Sequence, residues 1–197
     1  MNCEFAIGKF EKLLGDVQTF QLDGFIVIDT LVLPEVDQLN LTSPICKLNP
    51  VFIQIKTDSL RSKPEDFKNR RIGVLQDSLM HLHLVEKYTQ NASLKPYLVL
   101  ESGIFDLITG RIDALAADAA FFQARVANTV LGKKGNTNQL IAVKAPDAEL
   151  PASSMAIVLR ARDKERLESL EQALRKNGEV RDCSELLIEK PSLLKPE

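Results

Sequence analysis

The stretch 109-TGRIDALAADAAFF-122 sets two aspartates, Asp113 and Asp118, at the two ends of an apolar run. A carboxylate accepts charge-assisted hydrogen bonds from an amine or a hydroxyl, and these are stronger than neutral ones. Asp118 lies at the carboxyl end of a strand expected over 112–117. In open α/β sheets that end is where small molecules sit. Asp113 lies at the amino end, beside the turn at Gly110, where it is expected to cap neighbouring backbone or face solvent. The competing role for Asp118 is N-cap of a helix starting at Ala119. The sequence leaves both roles open.

The same logic selects Asp77 and Ser78, which follow an apolar run, 72-IGVL-75, and open a helical pattern. The free N–H groups and positive dipole end of a helix can hold an anion. Capping again competes, and it leaves other first-turn donors available. Asp29 and Thr30, just past 24-GFIVI-28, are the third candidate pair. His81 and His83 stand two apart, which puts them on different faces of a helix and argues against a shared metal. Cys3, Cys46 and Cys183 show no CxxC or Cys/His spacing. Neither a metal site nor a disulfide framework is expected from them, with one bridge left open. No cofactor motif, phosphate loop or nucleophile elbow is present, so no catalytic residue is assigned. The one enzymatic reading, Asp77 and Asp118 as an acid/base pair, ranks below binding.

These residues need a scaffold. A chain of 197 residues at 45% hydrophobic can bury a core as one large domain or two small lobes. Lys+Arg 25 against Asp+Glu 27 gives a net charge of -2, which argues against a nucleic-acid partner. No apolar run reaches the length of a membrane span, and residues 1–16 do not read as a signal peptide. Phe10, Leu13, Leu14 and Val17 mark an amphipathic helix. Strands are expected at 24–28, 51–56, 72–75, 97–100, 112–117, 139–143 and 154–160, alternating with helical patterns. That alternation predicts an α/β fold of parallel-dominated sheets with helices on both faces. The stretches 51–56 and 154–160 flank a block with its own full set of elements. This predicts residues 1–53 and 155–197 as lobe 1 and 54–154 as an inserted lobe 2, with the two stretches as a paired hinge.

In order and spacing the segments resemble a known family. The stretch 110-GRIDALAAD-118 looks like a G-x-x-D-A strand ending in an acidic residue, and 65-EDFKNRRIGVLQDS-78 looks like a G-V strand with its Q-G-S/T loop. Upstream, 10-FEKLLGDVQTFQLDGFIVIDT-30 and 41-LTSPICKLNPVFIQIKTDS-59 resemble a helix, a strand and a first hinge strand. Last, 154-SMAIVLRARDKERLESLEQALRKNGEV-180 resembles a return strand and final helix. The family is that of the extracellular solute-binding proteins, family 3, of amino-acid ABC transporters. Their fold is the two-lobed type II periplasmic-binding-protein fold.

The resemblance implies capture of an amino acid or related amine, with Asp118 taking the amino group and Asp77, Ser78, Asp29 and Thr30 lining the site. It implies a membrane permease as partner, an extracytoplasmic location and no cofactor or metal; without a signal peptide, a cytoplasmic location stays open. Three departures bear on this. The family's first βα unit has no counterpart, so lobe 1 is expected to be incomplete, with an open sheet through which a homodimer can form. Glu35 stands near the family's carboxylate-clamping arginine, and Asp77 replaces the glycine of the loop. Both changes favour a cationic or neutral ligand, or a scaffold that has lost its ligand. A small lyase or dehydratase on the same scaffold is the remaining alternative.

Overall fold

The computed structural model describes residues 8–28, 38–57, 59–133, 139–145, 150–176 and 178–185. In chain order the elements are α1 (Phe10–Gln18), β1 (Gly24–Ile28), β2 (Leu39–Leu41), β3 (Cys46–Leu48), β4 (Pro50–Ile55), β5 (Arg70–Leu75), α2 (Leu79–Tyr88), β6 (Ala92–Tyr97), α3 (Leu100–Ile108), β7 (Ala114–Asp118), α4 (Ala119–Phe122), β8 (Leu140–Lys144), β9 (Ser153–Arg160) and α5 (Lys164–Lys176). They form two compact units. Unit 1 holds Met1–Ile45 and Ser154–Val180; unit 2 holds Cys46–Ser153 and Arg181–Glu197. No helix among the described residues is long and apolar enough to cross a membrane.

Unit 2 is built on a five-stranded sheet of order β6-β5-β7-β4-β8. β5 runs parallel to both β6 and β7, while β4 runs antiparallel to β7 and β8. The central strands are buried on both faces, which is why they read as unbroken apolar runs. Alternate residues still divide between two cores. Phe52, Ile72, Val74, Ala114 and Ala116 face one side with Leu84 and Tyr88 of α2. Val51, Ile53, Leu115 and Ala117 face the other with Leu107 of α3. Phe52 and Phe67 meet at a tilt with 4.6 Å between ring centroids, and both meet Tyr88. On the opposite face α3 comes so close to β7 that a Cβ at Gly103 would lie 2.5 Å from Leu115 Cδ1. The helix then stops at Gly110, whose φ of +69° suits only glycine at low cost.

Unit 1 places β9 between β1 and β2, antiparallel to each. Val17 of α1 packs with Phe25, Val27 and Val158 beneath it, and Phe10 meets Phe25 edge-on at 5.8 Å. Arg160 is buried at the end of β9. Its guanidinium donates to the carbonyls of Val17 and Leu22 at 2.9 and 2.7 Å and pairs with Asp163, tying the end of α1 to the sheet.

The α/β class holds, with strand directions more mixed than the alternation predicts. Hydrophobic periodicity reports burial and not direction, so it cannot separate a return strand from a parallel one. The strand expected at 97–100 is corrected to Ala92–Tyr97, with α3 starting at Leu100. Among the described residues β6 is the outermost strand on its side of the sheet, which tolerates Pro96 and lacks the apolar signature of a central one. The expectation of no disulfide framework narrows to the one bridge left open. Cys46 and Cys183 are bonded, 137 residues apart in sequence. A bridge between such distant positions leaves no local spacing to recognise.

Candidate functional site

The carboxyl edge of the unit 2 sheet gathers the candidate residues. β5 and β7 pair with Ile72 opposite Ala114 and Gly73 opposite Leu115. The two strands run parallel and end at Leu75 and Asp118, so the turn that begins at Gln76 and the Asp118 carboxylate follow at the same edge of the sheet. Asp77 and Ser78 follow at once. Pro50, at the start of β4, stands opposite Asp118, and the Ala119 N–H donates to the Asn49 carbonyl at 2.8 Å. Lys144 closes β8 on the same edge, opposite Val51. Asp77, Ser78 and Asp118 are thus brought to one edge. Asp29 and Thr30 lie outside the described residues, as does Glu35.

Local chemistry fixes each side chain. The Asp118 carboxylate accepts the Phe121 N–H at 2.6 Å and so caps α4. Ser78 accepts the His81 N–H at 3.1 Å as N-cap of α2 and donates its hydroxyl to the Leu75 carbonyl at 2.8 Å. Asp77 has φ +57°, its N–H donates to His81 Nδ1 at 3.2 Å, and its carboxylate accepts from the Gln76 amide at 3.1 Å. The loop position that a glycine fills in the resembled pattern therefore does require the left-handed conformation. Aspartate is one of the few other residues that enter it readily. Capping and edge placement coexist at all three positions.

Residues missed in the sequence flank this edge on the β6 side. Leu75, Leu98 and Val99 are 36%, 82% and 53% exposed, an apolar border beside the Gln76–Ser78 turn. The Gln76 N–H donates to the Tyr97 carbonyl at 2.8 Å, which holds that border next to the turn. An apolar run that follows an edge strand looks like part of the strand, which concealed it.

Asp113 keeps the structural role expected for it at the other end of β7. It accepts from the Arg71 backbone N–H and Nε at 2.9 and 3.1 Å. Burial raises its pKa, but the Arg71 hydrogen bonds and charge outweigh burial and hold it below the usual value. A second ionic cluster went unforeseen. Asp106, nearly buried on α3, accepts from Lys95 Nζ at 2.5 Å, the Tyr97 hydroxyl at 2.8 Å and Arg111 at 3.2 Å. The Lys95 bond leads in drawing its pKa down to about 2, while burial pushes the Tyr97 hydroxyl up. The cluster ties β6 to α3. Among the described residues no group of three or more His, Cys, Asp or Glu is placed to hold a metal ion.

No protein-family model matches the chain. The L-arginine-binding protein of Pseudomonas aeruginosa is 21% identical over 189 residues, covering 94% of this chain and 72% of that protein. The arginine-binding periplasmic protein of Mannheimia haemolytica is 28% identical over 118 residues, covering 59% of this chain and 46% of that protein. Among solved structures, an amino acid ABC transporter substrate-binding protein of Streptococcus pneumoniae bound to L-arginine superposes with a TM-score of 0.63 at 21% identity. That match covers 98% of this chain and 78% of the other. The resemblance read from the sequence motifs is thus reproduced by whole-chain comparison, and the fold is the two-lobed periplasmic-binding-protein fold.

Proposed function

We propose that this chain is a solute-binding protein that captures a small polar molecule, an amino acid or related amine, for an ABC transporter. Arginine is the first ligand to try, because the relatives described above bind it by name. The observation that supports the proposal is the parallel β5–β7 pairing, whose two strands end at one edge of the sheet, the edge from which the Gln76–Asp77–Ser78 turn and Asp118 follow. In this reading Asp118 accepts hydrogen bonds from the ligand's amine. Ser78 and the first-turn N–H groups of α2 face its polar or anionic end. Asp29 and Thr30 complete the set by the sequence pattern alone.

Docking to a membrane permease and an extracytoplasmic location complete the proposal. The Cys46–Cys183 bond supports that location, because structural disulfides persist in oxidising compartments. A homodimer through unit 1 is part of the same proposal. Calorimetric titration with arginine, lysine, glutamine, agmatine and putrescine tests the capture. Saturable heat for at least one of them, lost in Asp118→Ala, supports it. Silence across the panel favours the second reading, a scaffold without ligand. That reading is favoured by one feature, the negative charge that Asp77 adds where a carboxylate would dock.

A further inference from the structure

His81, the third residue of α2, carries a further inference. Its backbone N–H donates to the Ser78 hydroxyl at 3.1 Å, as the third residue of a capped helix does. In a capping box the side chain at that position, a glutamate or glutamine, reaches back to the N–H of the N-cap residue. Here the half-buried imidazole reaches one residue further, and its Nδ1 accepts the Asp77 N–H at 3.2 Å. A backbone N–H can only donate, so Nδ1 carries no proton and the ring is neutral, with its proton on Nε2. The imidazole also leaves the Ser78 N–H unused. Among the described residues no group accepts it.

The residue so anchored is the strained one. Asp77 has φ +57°, a conformation that costs an aspartate energy and persists where its surroundings hold it. Among the described residues the turn is held at three points. The Gln76 N–H donates to the Tyr97 carbonyl at 2.8 Å, the Ser78 hydroxyl to the Leu75 carbonyl at 2.8 Å, and the Asp77 N–H to His81. The first two fix the residues on either side, and the third grips Asp77 by its own backbone. The Asp77 carboxylate reaches only Gln76, its neighbour within the turn. We propose that His81 is a positioning residue for ligand capture. By holding the Asp77 N–H it keeps the left-handed turn, which directs the Ser78 N–H toward the ligand and sets the place of the Asp77 carboxylate. A glutamate at position 81 would hold the turn at the cost of a second negative charge beside Asp77. The neutral imidazole accepts the same bond without one. This role rests on the capture reading above and adds to it a residue that need not touch the ligand.

The test uses the full chain. In nitrogen-15 labelled protein, magnetic resonance is expected to show a scalar coupling across the hydrogen bond, between the Asp77 amide nitrogen and His81 Nδ1, with the ring proton on Nε2. Absence of that coupling overturns the proposal. Calorimetric titration with arginine then compares variants. His81→Leu and His81→Ala remove the acceptor and are expected to bind about threefold to tenfold more weakly, the worth of one hydrogen bond. Asparagine offers an acceptor oxygen near the place of Nδ1, so His81→Asn is expected to restore affinity to within about twofold. A structural role alone would lower the melting temperature of the Leu and Ala variants and leave the affinity of the folded protein unchanged, which overturns the proposal. An Asn variant as weak as the Leu variant overturns it too, because the acceptor is then not what matters. Should either the Leu or the Ala variant fail to fold, the other decides. A wild type silent toward arginine and the other amines of the panel overturns the capture reading and the positioning role together. A wild type that binds, with variants that bind equally well, overturns the positioning role alone.

Discussion

Asp118 stands directly across from Pro50 in the β7–β4 ladder, so the carboxylate that ends β7 is held where the chain enters β4. Two strands and the α4 cap fix its position, which makes charge and cap separable by substitution. Asn is as good an N-cap as Asp. Asp118→Asn is therefore expected to leave the melting temperature nearly unchanged. Affinity for arginine should fall about tenfold to a hundredfold, the worth of a charge-assisted hydrogen bond. Asp118→Ala loses the cap as well and should cost about 1 kcal/mol of stability. Calorimetry and thermal melting read the two effects apart. Unchanged affinity in the Asn variant would leave Asp118 with a structural role only.

Asp77 offers the opposite experiment. Its φ of +57° costs a non-glycine residue roughly 1 kcal/mol, while glycine loses a similar amount through chain entropy. Asp77→Gly should thus change stability by no more than about 1 kcal/mol in either direction. What changes is charge. Arginine, which carries a carboxylate, is expected to bind several-fold tighter, whereas agmatine, which lacks one, should not gain. An equal change for both ligands would place the ligand's carboxylate away from this turn.

Much of this fold was legible because buried central strands write themselves as apolar runs. 72-IGVL-75 falls inside β5 and 154–160 lies within β9, while 24-GFIVI-28 marks β1 by its apolar letters although Ile26 and Ile28 are exposed. What stayed hidden was set by partners distant in sequence. Strand direction depends on which neighbour a strand meets, and β6 was obscured because an edge strand alternates and carries Pro96. In the candidate site, Asp118 and Ser78 were visible as residues that follow apolar runs. Their common level on one edge was not visible, because the Ile72–Ala114 register that sets it is a long-range pairing. The Lys95–Tyr97–Asp106–Arg111 cluster joins an edge strand to a helix and has no one-dimensional signature.

That cluster predicts an acid sensitivity. Asp106 has its pKa lowered from 3.8 to about 2, first by the Lys95 hydrogen bond, then by Tyr97, against burial, with Arg111 adding to the fall. A carboxylate depressed in the folded state stabilises fully above its unfolded value, and that stabilisation is lost as pH falls through the folded value. The window therefore runs from about pH 4 down to about pH 2. Melting temperature plotted against pH should drop through that window in the wild type and drop less in Asp106→Asn. Asp113, lowered in the same sense, keeps part of the slope in the variant. Parallel curves for the two proteins would mean that Asp106 is not the group being protonated.

The Cys46–Cys183 bond reaches beyond its own position. Beside it Asn49 donates to the Asp182 carboxylate at 2.5 Å, and the Lys47 N–H donates to the Arg181 carbonyl at 2.9 Å. The Asn49 carbonyl in turn accepts the N–H that follows Asp118, so the bridged segment braces the candidate site. Opening a loop of 137 residues returns entropy to the unfolded chain, a loss of roughly 2–5 kcal/mol. Adding reductant should lower the urea midpoint of the wild type by that equivalent, and Cys183→Ser should match the reduced protein. Cys3→Ser should leave the midpoint unaltered. Arginine affinity should fall in the reduced protein under conditions where it remains folded, because Asn49 loses its brace while Asp118 keeps its cap. A midpoint insensitive to reductant would mean that the bridge is not formed in solution. A lower midpoint with unchanged affinity would confine its action to the fold.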